Sequence, residues 1–199
     1  MTWCVAFSLG AATAEAQTYR IDPAKSEIVA RTFKAGLASG MAHDHIVRAS
    51  KLSGELQLEA KKVSITVDAR SLIADEPEMR QKHHLKKSVA DGDRKRIQAT
   101  MLGDGQLDAE KYPVIAFEST RIEAANDRFA VTGRLTLHGQ TKIVSFGIET
   151  KVEKGVFRAR GRFTLKQSDF GIEPYSAALG AVQNKDEVEI SFFVVAAPE

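Results

Sequence analysis

Residues 129–166 decide the fold, and they read FAVTGRLTLHGQTKIVSFGIETKVEKGVFRARGRFTLK. Apolar and polar residues alternate through most of this stretch, and a period of two is typical of β-strands with one buried face. Polar, turn-forming breaks at residues 138–140 and 154–155 divide it into strands 129–138, 142–152 and 156–166. The pattern therefore predicts three consecutive antiparallel strands joined by hairpins.

The alternation also assigns each side chain to a face of its strand. In strand 156–166, Phe157, Ala159 and Phe163 fall on one face and arginines fall on the other. Aromatic and small residues mix on the apolar faces, so these side chains either leave a cavity or interdigitate as a core, and the sequence allows both. If a cavity is present, a bulky residue at Gly161 is expected to block it while the protein still folds. The side chains predicted to line such a cavity are Phe117, Leu135, Leu137, Phe146, Ile148, Phe157, Phe163 and Phe192.

Similar segments continue the pattern on both sides of this stretch, at residues 27–33, 47–58, 63–68, 114–123 and 187–196. About eight strands, mostly joined by short turns, favour an up-and-down antiparallel barrel or a sandwich. Residues 78–101 interrupt the pattern with helix formers, and Asp93 is a candidate cap for a short helix over residues 94–101. We therefore expect a mainly β fold with a short helical insertion.

Composition limits the class of protein. The chain has 199 residues, of which 43% are hydrophobic, and its formal net charge is +2. Such a chain is long enough to bury one core, and its nearly balanced charges argue against disorder and against a nucleic-acid-binding surface. It contains no apolar run of the length that a transmembrane helix needs.

The N-terminal residues indicate export. Residues 3–12 are apolar but too short to cross a membrane as a helix, and Ala14-Glu15-Ala16 matches the small-x-small pattern that precedes a signal-peptidase site. We interpret residues 1–16 as a signal peptide and residues 17–199 as one mature domain in the periplasm; the alternative is an N-terminal tail. Cys4 would leave with the signal peptide, so neither a disulfide nor a catalytic thiol is expected.

The sharpest local motif is His43-Asp44-His45. In extended backbone the two imidazoles lie on the same side, an arrangement that suits chelation of a metal ion or contact with a ligand head group. The alternative is a hydrogen-bonded polar loop at the mouth of a barrel, in which Asp44 fixes a turn. A metal site needs further ligands, and the candidates are Asp44, His138, His83 and His84.

The helical insertion is rich in basic residues, at positions 82–87 and 94–96. Such a strip is either a solvated helix face or a surface that docks on anionic lipid or holds a ligand pyrophosphate. The chain contains no nucleophile elbow, H-E-x-x-H motif, phosphate-binding loop or dinucleotide fingerprint. We therefore expect a non-enzymatic protein without a cofactor.

Six phrases carry a family resemblance, and they occur in the same order as in that family. They are YRIDP at residues 19–23, VSITVD at 63–68, LDAEKYP at 107–113, VTGRLTLHGQT at 131–141, FTLKQSDFGI at 163–172 and DEVEI at 186–190. The chain resembles the YceI-like family, which consists of lipocalin-like periplasmic proteins associated with polyisoprenoid binding. The resemblance covers nearly all of residues 17–199.

The resemblance implies a lipocalin-like, eight-stranded antiparallel β-barrel that encloses a hydrophobic tunnel. It also implies binding, transport or storage of an isoprenoid-like lipid of quinone or polyprenyl type. The energetics agree with this, since burial of an apolar chain yields about 0.8 kcal/mol for each CH₂. Two other functions stay open: a scavenger of amphiphilic small molecules, and a metal-binding protein or metal-dependent enzyme centred on His43 and His45. A homodimer and a transient contact with the inner membrane are compatible with this interpretation, whereas nucleic acid is not an expected partner.

Overall fold

The computed structural model describes residues 17–37 and 43–199. The predicted signal peptide, residues 1–16, lies outside the described residues and Cys4 lies there with it. The described residues form the strands β1 (Thr18–Ile21), β2 (Glu27–Ala35), β3 (His45–Ala49), β4 (Leu52–Gln57), β5 (Lys62–Asp68), β6 (Leu72–Ala74), β7 (Val114–Ala125), β8 (Arg128–Leu137), β9 (Gln140–Glu153), β10 (Val156–Lys166), β11 (Ser176–Ala177) and β12 (Val182–Pro198). They also form the helices α1 (Pro77–Lys82) and α2 (Asp91–Leu102) and short 3₁₀ turns at Ala69–Ser71, Ser168–Phe170 and Ala178–Gly180. No helix within these residues combines the length and hydropathy needed to cross a membrane.

The strands pair antiparallel and close into a barrel. Eight of them follow one another in the order β1-β4-β5-β7-β8-β9-β10-β12, and β12 returns to β1 through the pairing of Ala196 with Ile21. Further along β12, the wall continues from β12 to β2, from β2 to β3 and from β3 to β6. The predicted fold, a mainly β, lipocalin-like eight-stranded antiparallel barrel with a helical insertion, is thereby confirmed.

Three walls of the barrel are bent, and serine hydroxyls fix the bends. Ser26 lies between β1 and β2, where its hydroxyl accepts from Val195 N at 3.0 Å and donates to Val195 O at 3.3 Å. Ser50 lies between β3 and β4 and donates to Ser71 O at 2.6 Å, while Ser71 Oγ accepts from Lys51 N at 3.1 Å. These bonds satisfy backbone groups that lose their cross-strand hydrogen bonds at the bends. The pairs β1/β2, β3/β4 and β5/β6 therefore each continue through a bend as one side of the barrel.

The strands predicted from alternation are largely confirmed, and β10 coincides with the predicted strand 156–166. The hairpin between β8 and β9 is confirmed as well, because His138 and Gly139 have φ values of 50° and 71°, the two positive values that a type I′ turn requires. The prediction of one strand over residues 47–58 is wrong, because the bend at Ser50 divides it into β3 and β4. Alternation does not reveal β1, β6 and β11, because these strands are too short to establish a period.

The helical insertion contains two helices, and α1 packs on the outside of the barrel. Pro77 occupies its first turn, where the missing backbone N–H costs nothing and the fixed φ favours a helix. Met79 packs against Val29 and Ile46, which lie on the outward side of β2 and β3. These side chains form a small second core outside the barrel.

The second helix, α2, begins at Asp91, so Asp93 lies within its first turn and the prediction that Asp93 caps the helix is wrong. The carboxylates of Asp91 and Asp93 both lie at the positive end of the helix dipole, which favours a helix that begins at Asp91. Further along α2, Gln98 donates from Nε2 to Leu72 O at 2.6 Å and accepts at Oε1 from Ala74 N at 2.8 Å. Its amide thus pairs with the edge of β6 as a neighbouring strand would.

Candidate functional site

The inward faces of the strands leave a cavity inside the barrel. Its volume is about 270 Å³. Within residues 17–37 and 43–199, every side chain that lines it is apolar except those of Thr32 and Gln167. Of the two arrangements that the sequence allows, a cavity and a filled core, the structure shows the cavity.

The side chains predicted to line a cavity all lie on its wall. They are Phe117 of β7, Leu135 and Leu137 of β8, Phe146 and Ile148 of β9, Phe157 and Phe163 of β10, and Phe192 of β12. Residues of β2, β4 and β5, among them Ile28, Leu56 and Ile65, complete the wall. That a ligand contacts these side chains stays a prediction.

Four aromatic rings form a cluster on the cavity wall, which we call the aromatic cluster. Phe146 stacks on Phe163 with ring centroids 4.8 Å apart, and it contacts Phe117 at 5.5 Å and Phe192 at 5.6 Å. Packing of this kind contributes about 0.5–1.5 kcal/mol for each pair beyond area burial. The cluster therefore links β7, β9, β10 and β12 through their inward faces.

Glycines beneath these rings explain why small and aromatic residues mix on the inward faces. A Cβ added at Gly133 would lie 2.5 Å from the ring of Phe117. A Cβ at Gly161 would lie 2.7 Å from the ring of Phe192 and 2.9 Å from Gly147 O. A bulky residue at Gly161 would therefore displace the wall itself, so this packing argues against the expectation that such a variant still folds, which stays a prediction.

The two polar residues of the wall lie at the same end of the cavity, which we call the polar end. Thr32 of β2 pairs with Val188 of β12. Gln167 follows β10, is nine-tenths buried, and donates from Nε2 to Lys185 O at 2.9 Å. Both residues thus lie beside the same part of β12.

The opposite end, which we call the closed end, is apolar. There Ala196 of β12 pairs with Ile21 of β1, and Tyr19 of β1 pairs with Leu56 of β4. All of these side chains are buried in one hydrophobic cluster. The cavity is therefore amphipathic along its length, with hydrogen-bonding groups at one end and hydrocarbon at the other.

The His43-Asp44-His45 motif lies at the polar end, because His45 is the pairing partner of Thr32. Nδ1 of His45 lies 2.5 Å from Oδ2 of Asp75, whose side chain is completely buried. Burial opposes ionisation of Asp75, but the hydrogen bonds from His45, Ile46 N and Arg80 outweigh it and lower the pKa of Asp75. The ionised carboxylate accepts from Nδ1–H, so it fixes the orientation of His45.

Arg80 of α1 joins this arrangement to its surroundings. It donates to the carboxylate of Asp75, to Asp44 O at 2.9 Å and, from Nε, to Lys87 O at 3.0 Å. Sequence analysis did not identify Asp75 or Arg80, because a single acidic and a single basic residue in a charged insertion carry no pattern. The positive φ of Asp75, 54°, marks a local turn that only the structure reveals.

Asp44 and His43 have different surroundings. The carboxylate of Asp44 accepts from Arg31 and from Lys34 N, each at 3.1 Å. Although burial opposes ionisation, these hydrogen bonds lower the pKa of Asp44. Nδ1 of His43 is buried and has no hydrogen-bond partner in the described part of the chain, and desolvation, with the nearby charges of His45 and Arg80, lowers the pKa of His43.

The structure does not gather the metal ligands that the sequence suggests. The rings of His43 and His45 lie 6.4 Å apart between centroids. His138 instead contacts Phe170 O through Nδ1 at 3.1 Å, and His83 lies 3.7 Å from Glu27. Among residues 17–37 and 43–199, no three His, Cys, Asp or Glu side chains come together in a way that could hold a metal ion.

Comparison with known proteins places the chain in a family. The model of the YceI-like domain matches residues 19–196. The chain is similar to a UPF0312 protein of Pseudomonas savastanoi pv. phaseolicola, with 33% identity over 141 residues, or 67% of this chain and 62% of that protein. It is also similar to a UPF0312 protein of Pseudomonas putida strain F1, with 36% identity over 122 residues, or 58% of this chain and 54% of that protein. The matched region thus spans less than two thirds of these relatives.

Solved structures share the fold. BcnA of Burkholderia cenocepacia has a TM-score of 0.66 and 22% identity, over 89% of this chain and 99% of BcnA. A mutant of the Campylobacter jejuni YCEI protein has a TM-score of 0.53 and 20% identity, over 77% of this chain and 84% of that chain. These similarities concern the fold alone, whereas the match to the family model extends over almost all of the described domain. The chain belongs to the YceI-like domain family.

Proposed function

We propose that this protein binds an isoprenoid-like lipid, of quinone or polyprenyl type, in the barrel cavity and carries or stores it without changing it chemically. The observation that carries the proposal is the cavity, about 270 Å³ in volume with an almost wholly apolar wall. An apolar chain gains about 0.8 kcal/mol for each CH₂ removed from water, or about 4 kcal/mol for a five-carbon isoprene unit. Because association costs about 4–15 kcal/mol, burial of about one to four units offsets this cost, and each further unit adds affinity.

The composition of the wall supports a non-enzymatic role. Thr32 and Gln167 are its polar side chains within the described residues. Oγ1 of Thr32 makes no hydrogen bond to a base in the described part of the chain, and the amide of Gln167 is bonded to backbone carbonyls. Neither a hydroxyl nor an amide acts as a general acid or base near neutral pH without such help.

The proposed place of action is the periplasm, with transient contact at the inner membrane. The signal-like residues 1–16 support export. Leu37 and Leu179 are fully exposed, and they belong to adjacent segments, because a Cβ at Gly36 would lie 2.6 Å from Ala181 O. Exposed apolar side chains of this kind insert into lipid or become buried against a second copy of the chain, so a homodimer is the competing outcome.

A second candidate function is capture of shorter amphiphilic molecules. The cavity volume of about 270 Å³ lies just below the range of about 300–1,000 Å³ that is typical of pockets for drug-sized ligands. A short amphiphile fits such a volume directly, whereas a long polyprenyl chain requires the wall to widen. The length of the bound molecule therefore distinguishes the two functions.

Native mass spectrometry of the protein purified from the periplasm of a bacterial host, followed by organic extraction, tests the proposal. We expect an adduct in the isoprenoid mass range that is lost on denaturation. A short amphiphile in its place would support the second candidate. A ligand-free protein that also fails to take up added prenyl alcohols would overturn both.

Replacement of two alanines by tryptophan, one inside the barrel and one outside, tests whether the lipid binds in the cavity. Ala30 faces inward, lines the cavity and is only half-buried, so a larger side chain there extends into empty space. We expect Ala30→Trp to reduce lipid uptake at least tenfold, because the indole displaces about two buried CH₂ groups or more of ligand at about 0.8 kcal/mol each. Ala130→Trp, on the exposed face of β8, is the control and should bind normally. Equal uptake by both folded variants, measured by lipid extraction after circular dichroism, would place the ligand outside the barrel.

A further inference from the structure

The pairing of β9 with β10 covers only part of the two strands. They pair from their hairpin as far as Ile148 and Gly161, and the register ends there. Beyond that pair, each strand stays bonded to its other neighbour, β9 to β8 and β10 to β12. Residues 140–147 of β9 and 162–166 of β10, all within the described part of the chain, therefore face each other without cross-strand pairing. We call this stretch the seam.

The seam is bounded at both ends, so it is an opening within the wall and not a frayed edge. At one end, the pair of Ile148 and Gly161 restarts the ladder. At the other end, the 3₁₀ turn Ser168–Phe170 contacts both β9 and β10. This turn is held in place, because His138 Nδ1 lies 3.1 Å from Phe170 O and the ring of Phe170 is 1% exposed.

Two phenylalanine rings cover the seam from the inside. Continued beyond Gly161, the register places Phe146 opposite Phe163, and the two rings stack with centroids 4.8 Å apart. Both side chains line the cavity, yet both are partly exposed, whereas Phe157 in the paired part of β10 is buried. The stacked rings therefore form the inner surface of the wall where the ladder is missing.

The outer face beside these rings carries mostly short side chains. Ser145 and Thr164 are exposed, and a Cβ built at Gly147 would have its nearest neighbour at 4.0 Å. Arg162 is longer, and it too is exposed. Displacement of the two rings would therefore connect the cavity with the outside without moving a packed layer.

Other routes into the cavity are costlier. Separation of paired strands breaks a run of backbone hydrogen bonds and leaves N–H and C=O groups without partners. The closed end is packed by a hydrophobic cluster, and at the polar end Phe170 and Ile172 pack against Leu107. At the seam, the stacking contact between Phe146 and Phe163 is the interaction that must break.

We propose that the seam between β9 and β10 is the portal through which an elongated apolar ligand enters and leaves the cavity, with Phe146 and Phe163 as its gate. The rings separate while the ligand passes between the strands and stack again behind it. The ladder beyond Gly161 and the turn at Ser168–Phe170 keep the barrel closed on either side of the portal. This inference rests on the proposed function and adds the route of exchange.

A reversible link across the seam tests the portal. Ser145→Cys and Thr164→Cys place two thiols opposite each other if the register continues, and Cys4→Ser makes them the only thiols in the chain. A bis-methanethiosulfonate reagent with a short alkyl spacer joins the thiols, and dithiothreitol releases them. The probe is all-trans-retinol, an isoprenoid alcohol whose fluorescence rises when it leaves water, and its uptake and release are followed by stopped flow.

We expect the link to slow both uptake and release at least about tenfold, and dithiothreitol to restore both rates. The dissociation constant should change by less than about threefold, because a closed portal affects the two directions equally. The control is Lys151→Cys with Arg158→Cys in the same Cys4→Ser background, since these residues are direct partners in the bonded part of the same strands. Linking this pair should change neither rate.

A second pair of variants opens the gate. Phe163→Ala removes the stacking partner of Phe146, and we expect both rates to rise about twofold to tenfold, the factor that the loss of one ring contact corresponds to. Phe117→Ala removes another ring that contacts Phe146 but lies on β7, away from the seam. Once circular dichroism shows that it is folded, this control should exchange retinol within about twofold of the wild-type rates.

The outcomes separate this inference from the function on which it rests. Wild-type rates in the protein linked across the seam, equal slowing by the control link, or equal rates in Phe163→Ala and Phe117→Ala overturn the portal while lipid binding stands. A wild-type protein that binds neither retinol nor, in calorimetric titration, farnesol overturns the lipid-binding function and the inference with it.

Discussion

The two ends of the barrel are built from different interactions. At the closed end, Ile21, Leu56 and Ala196 are packed in a continuous hydrophobic cluster where β12 pairs with β1. At the polar end, His45, Asp75 and Arg80 form a buried network of hydrogen bonds and ion pairs beneath α1. The closed end resembles an ordinary protein core, whereas the polar end buries charge beside the cavity.

The difference indicates how the molecule divides stability from recognition. Apolar packing is non-directional and favours any hydrocarbon equally, so the closed end contributes affinity for a tail without selecting its head group. Hydrogen-bonding groups are directional, and they disfavour ligands that leave them unpaired. Selectivity should therefore depend on the polar end, and changes at the closed end should lower stability without altering it.

The largest effect is expected at Asp75. Asp75→Ala removes the carboxylate that neutralises Arg80, and because Arg80 is itself buried, the variant retains an uncompensated charge. We expect the free energy of unfolding to fall by about 3–5 kcal/mol, measured by urea denaturation.

Two comparisons control this experiment. Asp104→Ala, at an exposed position, should change the free energy of unfolding by no more than about 0.5 kcal/mol. Replacing both partners, by Asp75→Leu with Arg80→Met, should cost less than Asp75→Ala alone, because no unpaired charge remains. If the double variant is less stable than Asp75→Ala, the loss of stability in Asp75→Ala does not arise from the unpaired charge of Arg80.

The next effect is expected at the closed end. Leu56 is 3% exposed, and Leu56→Ala should lower the free energy of unfolding by about 2–5 kcal/mol through the cavity it leaves. The same substitution at the fully exposed Leu179 is the matched control and should have little effect. The ratio of the affinities for farnesol and farnesyl diphosphate, two ligands with the same tail and different head groups, should stay the same in Leu56→Ala. A changed ratio would contradict the division between the two ends.

Much of the barrel follows from the sequence, because its walls present one face to hydrocarbon. In β10, Phe157, Ala159 and Leu165 alternate with exposed or half-buried polar residues, and both limits of the strand are predicted correctly. The bends are not predicted, because Ser50 and Ser71 act through hydrogen bonds to each other's segments, which are distant in sequence. Alternation records the face of a residue but not the path of the strand.

For the same reason, the sequence predicts the aromatic part of the candidate site but not its charged part. The aromatic cluster follows from parity alone, since each of its rings lies at an inward position. Asp75 and Arg80 do not follow, because burial of a charged residue depends on the helix that covers it and on partners elsewhere in the chain. His43 and His45 were conspicuous by spacing, yet the partner that orients His45 is 30 residues away.

The smallest effect concerns the pH dependence of stability, and it arises from His43. Desolvation and the nearby charges of His45, Arg80 and Lys87 lower its pKa below the ordinary value of 6.5, although Asp75 acts in the opposite direction. As the pH falls through about 6.5, the unfolded chain therefore takes up a proton that the folded protein resists, and stability decreases. The contribution is fully present above this pH and cannot exceed about 1.4 kcal/mol for each pH unit. Urea denaturation between pH 7.5 and 5.5 should show a smaller loss of stability in His43→Asn than in the wild type, whereas His84→Asn, at an exposed position, should behave as the wild type. If His43→Asn loses as much stability as the wild type over this range, the buried imidazole is not the group that makes the polar end sensitive to acid.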